Sequence, residues 1–210
     1  MKYIIMCGGE YNTPKPKQLI VKNGEEIVAR IIRLLREEGI EDIAISTNNH
    51  VFVKFGLPLL EHDNSFSAKD KKNLKGYWVD AFYPTDEPAC YIFGDVYFSK
   101  EAIHKIVTTE TDDIQFFASA PPFAPEYPKP WAEPFAYKVQ NQKHFAEAID
   151  MVKRLQDAGR FIRHPIAWEL WQVIRNTPIN YIDFGNYIAI NDYSCDIDNE
   201  DQVNQWRYQV

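Results

Sequence analysis

Three short stretches of this chain hold residue types that can do chemistry together. The first runs from Gly8 to Lys17, where Gly8 and Gly9 leave the backbone bare and Lys15 and Lys17 supply point charges. Backbone N–H groups that follow a strand can approach a phosphate when no side chain intervenes. A lysine ammonium then meets the phosphate oxygens. The second stretch is Gly94-Asp95, and the third is Asp196-Ile-Asp198-Asn-Glu-Asp201. A carboxylate at the end of a strand can hold a hard divalent cation such as Mg²⁺, which shares its shell with phosphate oxygens and water. Lysines in one loop and carboxylates at two other strand ends describe a metal–triphosphate site. Each stretch also has a plainer reading. Gly8-Gly9 makes a tight turn with solvated lysines, Asp95 caps a turn or the next helix, and Asp196 or Asp198 caps the last helix.

The elements needed to position these residues alternate between strand and helix. Tyr3 to Met6 reads as a first strand, Glu25 to Glu38 as an amphipathic helix and Asp42 to Ser46 as a second strand. Ile27, Val28, Ile31, Ile32, Leu34 and Leu35 share the apolar face of that helix, and Gly39 ends it. The spacing predicts a polar excursion over Glu61 to Lys75 and a short helix over Tyr77 to Tyr83. Ala89 to Phe93 reads as a buried strand ending at Gly94-Asp95, and Ser99 as the cap of a helix to Thr108. Further strands are expected at Ile114 to Ala118, Phe135 to Val139, Asn180 to Asp183 and Tyr187 to Ile190. Helices are expected at Gln142 to Ala158, Pro165 to Arg175 and Asp201 to Tyr208. Trp168, Trp171 and Ile174 have helical spacing and read as core. Between Pro121 and Pro134 six prolines alternate with aromatic residues, which predicts a packed flap. The β-α-β opening argues for an α/β fold with a Rossmann-like, mixed but mainly parallel sheet. Ligands bind at the carboxyl ends of such strands, where all three chemical stretches fall.

Composition bounds the partners. The chain has 210 residues, 45% hydrophobic and 25% charged, which suits one α/β domain over 1–210. A net charge of −7 disfavours a nucleic-acid surface but leaves room for a local basic pocket. Cys7, Cys90 and Cys195 follow no disulfide or zinc spacing, which suits a reduced, cytoplasmic setting. The apolar run at the N-terminus is short for a secretion signal, and no stretch of about 20 apolar residues suggests a membrane span.

Taken together, these stretches resemble the nucleotidyltransferase superfamily with the GT-A-like fold. That superfamily includes sugar-phosphate nucleotidylyltransferases, cytidylyltransferases and molybdopterin guanylyltransferase-like proteins. The resemblance rests on Ile5-Met-Cys-Gly-Gly9, Pro16-Lys-Gln-Leu19, Asn23-Gly24, Ile92-Phe-Gly-Asp-Val-Tyr-Phe98 and the Asp196 to Asp201 segment. It implies attack of a phosphorylated acceptor on the α-phosphate of a nucleoside triphosphate, with release of pyrophosphate. Gly8, Gly9, Lys15 and Lys17 would meet the nucleotide, with Lys17 stabilising phosphate charge. Asp95 and Asp198 would hold Mg²⁺, and Asp196 is the other candidate for the second ligand. No protein nucleophile is needed, because catalysis is positioning plus electrostatics.

The acceptor end is implied by Trp131-Ala-Glu-Pro-Phe-Ala-Tyr-Lys138, which resembles the acceptor-binding segment and nominates Glu133 and Lys138. Arg160, Arg163 and His164 form a local basic group that can take an acceptor phosphate or simply end a helix in solvent. The family loop reads Gly-Gly-x-Gly-Ser/Thr-Arg, whereas this chain has Glu10-Tyr-Asn-Thr13 after its two glycines. That departure supports one alternative, a non-catalytic member that binds a nucleotide or a partner. A second alternative is a GT-A glycosyltransferase using a nucleotide-sugar. Base choice, acceptor and self-association are left open.

Overall fold

The computed structural model describes residues 1–8, 16–61, 66, 75–119 and 132–205, with 204 and 205 described by their backbone alone. The expected Gly9, Glu10 to Thr13 and Lys15, most of the 61–75 excursion and residues 121–131 of the flap lie outside the described residues, as does the chain after 205.

The elements in chain order are β1 (Lys2–Met6), β2 (Val21–Lys22), β3 (Glu25–Glu26), α1 (Ile27–Glu37), β4 (Ile43–Ser46) and β5 (Leu59–Leu60). There follow β6 (Ala89–Phe93), β7 (Val96–Tyr97), α2 (Lys100–Thr108), β8 (Ile114–Ser119) and β9 (Glu133–Val139). The remainder is α3 (Gln142–Asp157), α4 (Ala167–Ile174), β10 (Ile188–Ala189), β11 (Cys195–Asp196) and α5 (Glu200–Gln205). Seven strands form one sheet in the order β10-β8-β9-β6-β1-β4-β5. β1 pairs in parallel with β4 and β6, β4 with β5, and β10 with β8; only β9 runs antiparallel, against both β6 and β8.

The central strands are apolar throughout because both faces are covered. Ile4, Ile5, Ile92 and Ala89 are fully buried. α1 turns Ile27, Val28, Ile31, Ile32, Leu34 and Leu35 inward, the face its periodicity predicts. Trp168, Trp171 and Ile174 are core residues. Trp168 meets Phe116 edge-on, with ring centroids 5.0 Å apart. Cys7, Cys90 and Cys195 are buried and unbridged, and no described helix is long and apolar enough to cross a membrane.

The short helix expected over Tyr77 to Tyr83 is a 3₁₀ helix over Trp78–Ala81. One expectation about elements is corrected. Asn180 to Asp183 forms no strand. Gln172 Nε2 donates to the carbonyls of Pro178 and Tyr181, so one backbone acceptor of the segment is taken by α4, and Arg175, just after α4, binds the Asp183 carboxylate at 2.8 Å.

Candidate functional site

The site lies at the carboxyl ends of β1 and β6. β1 continues as Cys7, whose N–H donates to Ser46 O at 2.8 Å. After Gly8 the described chain resumes at Pro16, and a 3₁₀ turn over Lys17–Leu19 presents Lys17. The turn is tied back by Gln18 Nε2, which donates to Gly8 O at 3.4 Å. Behind it, Val21–Lys22 and Glu25–Glu26 pair around Asn23 (φ 54°) and Gly24 (φ 81°). Both central residues have positive φ, as a two-residue hairpin requires, and Asn-Gly is the sequence that tolerates it.

Asp95 reaches the same place through Gly94. Gly94 N–H donates to Met6 O at 3.0 Å. A Cβ at Gly94 would stand 2.6 Å from Met6 O and 2.8 Å from Cys7 Sγ. Glycine is therefore required for β6 to leave the sheet this close to β1. Gly94→Ala is expected to destabilise the fold by about 1–3 kcal/mol, lowering the melting temperature by roughly 2–10 °C. A thermal melt checks this, and an unchanged midpoint would contradict the packing argument.

The third stretch is brought in by a small ribbon. β11 pairs antiparallel with β7, placing Asp196 opposite Val96, and Ile197 N–H donates to Asp95 O at 2.9 Å. Glu133, 2% exposed at the start of β9, accepts from Asp196 N–H at 3.3 Å.

These elements deliver Lys17 into an acidic cluster. Its Nζ lies 2.6 Å from Asp95 Oδ2, 3.2 Å from Asp198 Oδ1 and 3.6 Å from Asp196 Oδ1. Burial alone would lower the Lys17 pKa, but the charges of Asp95, Asp196 and Asp198 overturn that and raise it. Lys17 is thus a permanent cation. Asp196 is pushed the other way, its carboxyl held well above the usual range by burial and then by the charge of Asp95, against the opposing pull of Lys17. Its Oδ1 is buried and accepts no hydrogen bond.

Capping does not account for these acids. Ser99 Oγ accepts from Ala102 N–H at 2.8 Å and caps α2. Asn199 Oδ1 accepts from Gln202 N–H at 3.0 Å, and Gln202 Oε1 accepts from Asp198 N–H at 2.6 Å. The Asn199-x-x-Gln202 spacing is the signal that would have located this cap in the sequence.

Asp196→Asn is expected to stabilise the ligand-free chain. A carboxyl with a raised folded-state pKa contributes stability that is fully present below the ordinary carboxylate range and is lost as pH rises through the raised value. The variant should therefore gain on the wild type as pH rises from 4 to 8, by about 1 kcal/mol or more, or roughly 2–4 °C. Melting curves across that range check it; equal stabilities at pH 8 would contradict the charge surplus.

The proposed acceptor residues do not gather here as a set. Glu133 stands beside Asp196. Lys138 lies towards the other end of β9, paired with Cys90 near the start of β6. Its ammonium donates to the carbonyls of Ile106, Val107 and Thr109 at the end of α2, so it closes a helix and is not available to an acceptor. Arg163 is held by Glu169 at 2.5 Å, and Glu169 also accepts from Ile166 N–H at 2.9 Å at the start of α4. His164 contacts the Phe66 ring at 5.2 Å. No contact among the described residues links Arg160, Arg163 or His164 to Lys17 or Asp95.

The donor set suits a hard cation. Mg²⁺ needs only one or two protein carboxylates beside phosphate and water oxygens, and Asp196 Oδ1 is a buried carboxylate oxygen without a hydrogen-bond donor. Among the described residues no group of three or more His, Cys, Asp or Glu side chains forms a ready metal cage; the carboxylates gather on the Lys17 ammonium.

No protein-family model matches the chain, and no curated protein sequence does. Solved structures do match. A putative glucose-1-phosphate thymidylyltransferase from Bacillus anthracis, in complex with a sucrose, gives a TM-score of 0.55 at 15% identity, over 93% of this chain and 89% of that one. CTP:phosphocholine cytidylyltransferase from Streptococcus pneumoniae (LicC) gives 0.52 at 13% identity, over 97% and 96%. HddC from Yersinia pseudotuberculosis, complexed with GMP-PN, gives 0.50 at 10% identity, over 97% and 96%. The chain has the GT-A-like nucleotidyltransferase fold, in agreement with the resemblance of its sequence.

Proposed function

We propose that this chain is an Mg²⁺-dependent nucleotidyltransferase that moves a nucleoside monophosphate from a nucleoside triphosphate to a small phosphorylated acceptor. The observation that carries this reading is the Lys17 ammonium gathered with Asp95, Asp196 and Asp198 at the carboxyl edge of the parallel strands. The structural neighbours support it, since their names specify thymidylyl and cytidylyl transfer.

Nucleotidyl transfer forms a bond from an acceptor phosphate oxygen to the α-phosphorus and breaks the bond to the departing pyrophosphate. Charge accumulates on the phosphate oxygens, and the site's task is to meet it. Lys17 would exchange its carboxylate partners for phosphate oxygens, whose negative charge would take over from the acids in offsetting the cost of its burial. Asp95 and Asp198, with Asp196, would hold Mg²⁺, which would supply positive charge against the phosphate oxygens. Glu133 and the β7–β11 ribbon would fix the spacing of the acids. Gly8 would let the backbone come close to the nucleotide; Gly9 and Lys15 complete the proposed loop. We place the activity in a reduced cytoplasm, with a sugar phosphate or headgroup phosphate as acceptor.

The run Glu10 to Thr13, which departs from the family's glycine loop, favours a second reading as a nucleotide- or partner-binding protein without turnover. A calorimetric titration of each nucleoside triphosphate, with and without Mg²⁺, tests the shared premise. Metal-dependent binding of at least one triphosphate is expected; no binding to any of them would reject nucleotidyl transfer and nucleotide binding alike, leaving only a partner-binding role. A mass-spectrometric search for a nucleotide-diphospho product then separates transfer from binding alone. A GT-A glycosyltransferase would instead consume a nucleotide-sugar.

A further inference from the structure

The acids at the carboxyl edge of the sheet are held by their backbones, and the cation among them is not. Ile197 N–H donates to Asp95 O at 2.9 Å, Asp196 N–H to Glu133 Oε2 at 3.3 Å and Asp198 N–H to Gln202 Oε1 at 2.6 Å. These bonds fix where the three carboxylates stand. The Lys17 turn is pinned too, with Leu19 N–H on Pro16 O at 2.9 Å and Ile20 N–H on Lys17 O at 3.1 Å. The ammonium itself ends a flexible four-carbon stem, and the Lys17 side chain is 35% exposed. It can therefore leave the acids by rotating about that stem while every one of these backbone bonds is kept.

What the ammonium leaves behind decides the consequence. Asp95 Oδ2, Asp198 Oδ1 and Asp196 Oδ1 share this one cation, and among the described residues no other lysine, arginine or histidine pairs with them. Carboxylates pinned close together repel one another once no cation stands between them. The ammonium goes, then, only as another cation arrives. A divalent ion bound to the same oxygens would in turn repel an ammonium left in place, so one occupant excludes the other. A divalent ion arriving alone offers Lys17 no anion in exchange. A triphosphate that carries the ion supplies both halves of the swap, a cation for the acids and phosphate oxygens for the ammonium.

We propose that Lys17 is a built-in counter-ion that keeps divalent metal off the acids of the free chain, so that the species this site accepts is a metal–triphosphate complex and not the metal first. The inference rests on the nucleotidyltransferase reading for the identity of the incoming ligand. Metal and triphosphate then bind with positive coupling, each raising the affinity for the other by the same factor.

The test is a titration of the full chain with Mn²⁺ and no nucleotide, followed by the paramagnetic resonance signal of the ion. Lys17→Met keeps an apolar stem and loses the charge. It is expected to bind Mn²⁺ about tenfold or more tightly than the wild type, within the ordinary range of coupling between sites. Lys17→Gln, a second uncharged variant, should gain in the same way, and a thermal melt of each variant reports its folding. Lys17→Arg keeps the charge and should bind Mn²⁺ as weakly as the wild type. Adding Asp95→Asn to Lys17→Met should remove the gain. Equal Mn²⁺ affinity in the wild type and the folded uncharged variants, a gain in Lys17→Arg, or a gain that survives Asp95→Asn would overturn the counter-ion role, whatever the chain does with nucleotides. In a second arm ATP, CTP, GTP, UTP and dTTP are titrated with and without Mn²⁺. At least one should bind the wild type more tightly with the metal, by a factor that shrinks in Lys17→Met. No binding of any triphosphate, beside a Mn²⁺ gain in the uncharged variants, would overturn the metal–triphosphate half and the transferase reading with it.

Discussion

On the proposed function, Asp95→Asn is expected to lower the turnover of nucleotidyl transfer by about 10³-fold, the scale set by removing one fixed electrostatic group from a reacting centre. The ligand-free chain is expected to stay folded. Asp95 gives up a 2.6 Å contact with Lys17, but Lys17 keeps Asp198 at 3.2 Å and Asp196 at 3.6 Å. One surplus negative charge leaves with the substitution, so the two stability effects oppose each other. Steady-state pyrophosphate release and a thermal melt, measured on the same preparation, check both halves. Turnover within tenfold of the wild type would remove Asp95 from the mechanism.

The second large effect is on Lys17. Lys17→Ala should weaken triphosphate binding by roughly 10- to 100-fold, the value of a charge-assisted hydrogen bond. It should also destabilise the ligand-free chain by about 1–2 kcal/mol, because three carboxylates lose their shared cation in a site that water partly screens. The two consequences can be separated. Asp196→Asn placed in the Lys17→Ala background should restore much of the stability, since it removes one of the repelling charges, and should restore none of the triphosphate affinity. A double variant that recovers neither stability nor affinity would mean that Lys17 is held by packing and not by the acids.

Much of this arrangement is legible in the sequence because its signals are local. The apolar run of β1, the periodic face of α1 and the cap at Ser99 each need only a few neighbouring residues to be read. The order of the Gly8 to Lys17, Gly94-Asp95 and Asp196 to Asp201 stretches also follows from punctuation by glycine and charge. The β7–β11 ribbon is of another kind. Each strand is two residues long and carries no period, and its partner is distant in sequence. Yet it sets Asp196 opposite Val96, and so fixes the acids.

The acceptor residues are parted for a related reason. Glu133 and Lys138 begin and nearly end one strand, roughly 17 Å apart at the rise of an extended chain. Only one end of that strand can reach the site. Because β9 is the reversed strand, that end is its beginning, which brings Glu133 to Asp196 and carries Lys138 to α2. Charge alone groups Arg163 with Arg160 and His164, but Glu169 stands close enough in sequence to claim it. Within Asn180 to Asp183 the Tyr181 carbonyl is taken by the Gln172 side chain.

The central claim, nucleotidyl transfer at the Lys17–Asp95–Asp198 site, is tested most directly by pyrophosphate release. The chain is incubated with each nucleoside triphosphate, Mg²⁺ and a panel of sugar phosphates and headgroup phosphates. The account predicts pyrophosphate formation that requires both the metal and one class of acceptor, in equal amount to the nucleotide-diphospho product, and that disappears in Asp95→Asn. Tight metal-dependent triphosphate binding with no pyrophosphate from any acceptor, or turnover of a nucleotide-sugar in its place, would contradict it.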